Sequence, residues 1–191
     1  MSFATARPKA RGFTLIELLI VVIILAILAA IAIPQFSSST VDARNAALDA
    51  NLSTVRSAIE QYRIQHNNIY PAVATAVPAA ACPAGGVAGI GAAGSPEALI
   101  SQLTMFSNAA GETCSIANNV YRFGPYLRQG MPNEPINNRG SAPANIAVVA
   151  AAAPIVPAAN APGGWTYSTG SGQFIMNSVT DDGAGRAYSL H

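Results

Sequence analysis

Glu17 places a carboxylate inside an otherwise uncharged apolar run that extends from Phe13 to Ile33. Holding an ionised side chain near the centre of a bilayer costs about 2.5 to 3.5 kcal/mol on insertion scales, so something must compensate it. Other chemistry-bearing residues are sparse. Cys82 and Cys114 are the only cysteines, and neither has a His or Asp close in sequence to activate a thiolate. Thr180-Asp181-Asp182-Gly183 offers two hard oxygen donors suited to calcium, but reads first as an acidic turn, and no metal is assigned to it. There is no Ser/His/Asp arrangement, phosphate loop or zinc-ligand spacing, and there are only two histidines. The chain therefore reads as no enzyme, with no metal and no cofactor.

The element that must position Glu17 is a helix. Phe13 to Ile33 spans about 31 Å at ~1.5 Å per residue, close to the hydrocarbon thickness of a bilayer. Arg7, Lys9 and Arg11 precede this run, and no charge follows it until Asp42. That asymmetry predicts a single-pass segment of the cytoplasmic membrane with its N-terminus cytoplasmic and the following chain extracytoplasmic. Of the ten basic residues, seven lie beyond Gly12 against nine acidic ones. With no basic stripe and no cluster of aromatics with arginine, nucleic-acid binding is not expected.

Two plainer readings compete. A cleaved secretory signal would end near Ala30-Ile31-Ala32, but the apolar run is longer than usual for such a signal and Glu17 sits where charge is poorly tolerated. A plain signal anchor, tethering an extracytoplasmic binding or enzymatic domain, explains span and orientation but leaves Glu17 without a role.

The stretch Gly12-Phe13-Thr14-Leu15-Ile16-Glu17-Leu18-Leu19-Ile20-Val21-Val22 resembles the class III signal of type IV pilins and type II secretion pseudopilins. The resemblance implies that a prepilin peptidase cuts between Gly12 and Phe13, removes the basic leader 1–12 and N-methylates Phe13. It also implies that Glu17 pairs with the Phe13 amine of an adjacent subunit and sets the axial register of a homo-oligomeric filament. Buried ion pairs are better evidence for specifying an arrangement than for net stability. Further implied partners are membrane lipid before assembly, an inner-membrane assembly platform and minor pilins, with a periplasmic or cell-surface filament as the destination. Pro34 removes a backbone donor and predicts a helix kink or local melting, which in that family lets the helix unwind partly in the filament.

Beyond the span 13–33, Val41, Leu48, Leu52, Val55, Ile59 and Tyr62 follow helical spacing and predict an amphipathic half over 34–66. Arg56 and Glu60 lie on its polar face, spaced for a weak ion pair. His66 falls at the helix end, near free carbonyls, and is assigned no site. The head, 67–191, opens with an Ala/Pro/Gly-rich loop over 71–94, followed by a capped helix from Ser95-Pro96-Glu97 whose apolar face is Leu99, Ile100, Leu103 and Phe106. An extracytoplasmic compartment predicts a disulfide between Cys82 and Cys114 closing a loop of about 33 residues. Val120 to Phe123 alternates as a strand, and Trp165 to Ser168 with Gln173 to Met176 reads as a hairpin around Thr169-Gly170-Ser171-Gly172. The Ala/Pro stretch 141–164 reads as a surface loop. Gly124 to Leu127 with Met131 to Asn137 resembles the segment ahead of the sheet in major pseudopilins. The expected class is α+β, with the long N-terminal helix packed on a small antiparallel sheet.

Overall fold

The computed structural model describes residues 12–152, 154–161 and 163–191, so Arg7, Lys9, Arg11 and the leader up to Arg11 lie outside the described residues. The chain divides into two compact units, Met1–Thr40 and Val41–His191, and helix α1 (Leu15–Gln65) contributes to both.

In the first unit, Leu15–Ile33 forms 19 residues of apolar helix with none of the span buried against protein. At ~1.5 Å per residue this is about 29 Å of helix, long enough to cross a bilayer. The backbone remains helical through Pro34. One missing donor removes one bond, while the neighbouring turns keep theirs. Past it, the hydroxyls of Ser39 and Thr40 bond back to the carbonyls of Gln35 and Phe36, at 2.9 Å each.

In the second unit, Leu48, Leu52, Val55, Ile59 and Tyr62 are buried on one face of α1. Val41 remains exposed, because the hydrophobic core reaches only as far as Leu48. Arg56 does not pair with Glu60. Its guanidinium is half-buried and donates to the carbonyls of Phe174 and His191, which are otherwise hard to satisfy near the core, while Glu60 pairs with Arg63 at 2.8 Å.

Helix α2 (Pro96–Thr104) starts at Ser95, whose hydroxyl accepts the amide of Ala98, and buries Leu99 and Leu103. Met105 is extended, so Phe106 leaves the helix face expected for it and opens β1 (Phe106–Ser107), antiparallel to β2 (Thr113–Cys114). The strand expected over Val120 to Phe123 does not form. The Asn118 side chain accepts the amides of Val120 and Tyr121 and turns the backbone there, leaving a single bridge between Phe123 and Ser107.

The hairpin is present as β4 (Trp165–Ser168) and β5 (Phe174–Met176), antiparallel with Trp165 opposite Met176. The sheet is mixed, however, because β3 (Ile146–Val149) pairs parallel to β4 from within the stretch read as a surface loop. Ile146-Ala147-Val148-Val149 is a short apolar run that can be paired and half-covered, and the surrounding alanines and prolines hide it. Entry into β4 needs Gly164, with φ +83°, where a Cβ would collide with the Asn145 carbonyl. The chain between β3 and β4 also covers the hairpin: Ser168 Oγ donates to the Ala151 carbonyl, and the side-chain oxygens of Gln173 and Asn177 accept the amides of Ile155 and Ala158. All four residues of β4 are buried as a result.

Side chains order the loop after α1. Gln102, fully buried, accepts the Ala72 amide and donates to the carbonyls of Ala74 and Gly111. Cys82 and Cys114 form a disulfide across 32 positions, joining this loop to β2. Thiol titration of the unreduced full chain should find no free thiol, and two would exclude the bridge. Replacing both cysteines by serine should lower unfolding free energy by about 2 to 4 kcal/mol in denaturant titrations followed by the lone tryptophan, Trp165.

Candidate functional site

The start of α1 is built by its own side chains. An isolated helix leaves its first amides unbonded, and hydrocarbon supplies no acceptor for them. Thr14 precedes the first helical residue and Glu17 is the third within the helix. The Thr14 amide donates to Glu17 Oε2 at 2.8 Å, and the Glu17 amide donates to Thr14 Oγ1 at 3.3 Å. This reciprocal arrangement is a capping box, and the Thr-x-x-Glu spacing ahead of an apolar run is its sequence signal. The Thr14 hydroxyl also donates to Glu17 Oε2 at 2.8 Å. Glu17 thus has an intramolecular task that its apolar context alone did not disclose. Its charge lies beside the positive end of the helix dipole, a favourable position for an anion.

Phe13 is 87 % exposed, and space around Gly12 is open. Among the described residues, none shields the Gly12-Phe13 bond. Phe13, Thr14 and Glu17 lie together within one turn, whereas Pro34 lies further along α1 and the Cys82–Cys114 bridge belongs to the second unit.

The acidic turn forms no ion cage. Asp181 accepts the Gly183 amide, and Asp182 accepts the amides of Ala184 and Arg186. Among the described residues, no group of three or more His, Cys, Asp or Glu gathers to hold a metal.

One arrangement invisible in sequence has the look of a nucleophile and base. His66 Nδ1 lies 2.8 Å from the Tyr62 carbonyl, which only accepts, so the proton sits on Nδ1. That leaves Nε2 to accept from Ser107 Oγ at 3.1 Å. The pair is nevertheless sealed: both residues are buried, with the imidazole stacked on Tyr62 at 3.7 Å and edged by Phe123. A substrate has no route to Ser107, and the dyad functions as a core joint between α1 and β1. Burial pushes the His66 pKa down, partly opposed by the Tyr62 carbonyl.

Comparison with known proteins bears on the first of these sites. The family model for the prokaryotic N-terminal methylation motif matches residues 7–33. The chain carries a prepilin methylation segment. Over 61 residues it is 48 % identical to the type IV narrow pilus major component PilA5 of Thermus thermophilus, covering 32 % of this chain and 53 % of that protein. It is 37 % identical over 65 residues to the type II secretion system core protein G of Pseudomonas aeruginosa, covering 34 % and 45 %. The type IV wide pilus major component PilA4 of Thermus thermophilus matches at 44 % over 60 residues, 31 % and 46 % of the two chains. The matching part of the chain spans about half the length of these curated relatives. No solved structure matches it. Homology to pilins and to a secretion core protein thus accompanies the methylation segment.

Thr14→Val removes the capping hydroxyl at nearly constant volume. It should weaken the first turn by about 1 kcal/mol, read as faster amide exchange at Glu17 in micelles; unchanged exchange would refute the cap. His66 supplies a pH test. The unfolded chain takes up this proton near pH ~6.5 and the fold resists it, so the unfolded state binds more protons below that value. Its contribution is full above pH ~6.5 and is lost as pH falls toward the lowered folded value. Urea titrations between pH 7.5 and 5.5 should show a smaller acid loss for His66→Gln than for the unsubstituted chain.

Proposed function

We propose that this chain is a structural subunit of a type IV pilus-like or type II secretion pseudopilus filament. A prepilin peptidase removes residues 1–12 and methylates Phe13, the span 13–33 anchors the subunit, and the amphipathic half 34–66 joins it to the extracytoplasmic head 67–191. The observation that carries this reading is a carboxylate at the first turn of an exposed apolar helix, immediately after an accessible Gly-Phe bond.

Cleavage changes the charges available to Glu17. It creates an α-amino group on Phe13, largely cationic at neutral pH. Lys9 is the sole lysine and lies in the leader, so after the cut this terminal amine is the only one in the chain. In the assembled state the Phe13 amine of one subunit meets Glu17 of the next, and packed apolar helices exclude water from the pair. The pair sets register, since each carboxylate can be satisfied at only one axial offset. The missing donor at Pro34 makes that turn the cheapest place for α1 to unwind during assembly. The chain contributes no catalysis of its own, and its partners are further copies, the peptidase, the inner-membrane platform and minor pilins.

Mass spectrometry of the protein purified from a host with prepilin peptidase should find a chain beginning at methylated Phe13. An intact Met1 or a start at Ile33 would overturn the proposal in favour of a plain anchor or a secretory signal. Glu17→Ala should still insert into the membrane while filament yield, counted by electron microscopy, falls at least tenfold; normal filaments would remove Glu17 from assembly.

A further inference from the structure

Residues 180–188 form a loop closed on itself. The Asp182 amide donates to the Arg186 carbonyl at 2.9 Å, and the Tyr188 amide to the Thr180 carbonyl at 3.1 Å. His191 then ties this loop to α1. Its carbonyl accepts from Arg56 at 2.9 Å, and its imidazole, only 4 % exposed, lies between carboxylates from two distant parts of the chain. Nδ1 is 2.8 Å from Asp49 Oδ1 on α1, and Nε2 is 3.5 Å from Asp182 Oδ2 in the loop. Nε2 is buried and has no hydrogen-bond partner.

A neutral imidazole carries one N–H. With the proton on Nδ1, Asp49 is satisfied and the Nε2 lone pair faces the Asp182 carboxylate. The other tautomer reverses the conflict. The imidazolium alone donates in both directions, and a charge-assisted bond then replaces a buried repulsion. We propose that His191 is a proton-operated latch that fastens the 180–188 loop to α1.

The surrounding charges leave this role to the imidazole. From α1, Asp49 faces the ring, while Arg56 is committed to the carbonyls of Phe174 and His191. Arg44 exerts its charge on Tyr188, whose ring lies 5.9 Å from that of His191. From the loop, Asp182 faces the ring and Arg186 donates to the Leu190 carbonyl; Asp181 is turned to the Gly183 amide. The nearest charged groups on both sides of the ring are thus carboxylates. The Ala184 amide above all, with the Arg186 amide and the His191 imidazole beside it, holds the Asp182 carboxyl below its usual range, so it stays ionised around neutral pH. Proton uptake closes the latch and keeps Tyr188 against the core, and proton loss releases the loop. The latch lies within the second unit and operates whether or not the chain assembles.

Amide exchange of the full chain in micelles with EDTA, corrected for intrinsic pH dependence, tests this. Protection at Asp182 and Tyr188 should be greater at pH 5.5 than at pH 8, because only the imidazolium donates to both carboxylates. His191→Gln and the near-isosteric Asp182→Asn should each abolish that difference. Equal protection at both pH values, or an unchanged difference in both variants, would overturn the latch. So would protection restored at pH 8 by added zinc(II) in the unsubstituted chain but not in His191→Gln, since Nε2 would then be a metal ligand.

Discussion

A backbone amide in hydrocarbon has only its own helix to bond with, and this constraint governs α1 from its first residue. The Thr14 and Glu17 side chains close the end that the ladder leaves open, and from Leu15 to Ile33 every side chain but Glu17 is compatible with lipid. The same helix then meets a different demand. From Leu48 onward it presents one apolar stripe to a protein core and a polar face elsewhere. One continuous element thus meets both demands, and the Ser39 and Thr40 hydroxyls bond back to its carbonyls.

The head relies less on regular structure than on buried side chains that satisfy the backbone locally. Gln102 serves the loop after α1, and Glu134, fully buried, accepts the amides of Ile136 and Asn137 at 2.6 to 3.0 Å. His66 joins α1 to β1 through Ser107. Each joins segments that have too few strand residues to bond their own amides, and leaving such groups unpaired when buried would cost about 1 to 3 kcal/mol apiece.

What could be read from sequence follows from how local each cause is. The α1 stripe, the Ser95 cap and the β4–β5 hairpin are set by residues within a few positions of one another, and they stand in the structure close to where their spacing put them. The Thr14–Glu17 cap was equally local, but it was hidden behind the more conspicuous question of a charge in the membrane. Distant causes were invisible. The pairing of β3 with β4 depends on a partner beyond an Ala/Pro stretch, and Asn118 overrides the alternation of Val120 to Phe123 through a side-chain bond that no strand pattern encodes. His66 meets Ser107 across 41 positions, and Arg56 abandons Glu60 for carbonyls 118 and 135 positions away.

Between Arg139 and Asp181 the chain contains no acidic or basic residue, yet it holds the whole three-stranded sheet and the segment folded over it. Ser168, Gln173 and Asn177 secure that cover with neutral hydrogen bonds, which counterions do not screen. These three bonds carry no charge for acidity to change or for salt to screen. Response to salt and acid falls instead to charged and titratable groups on either side of this stretch, Glu17 and His66 before it and His191 after it.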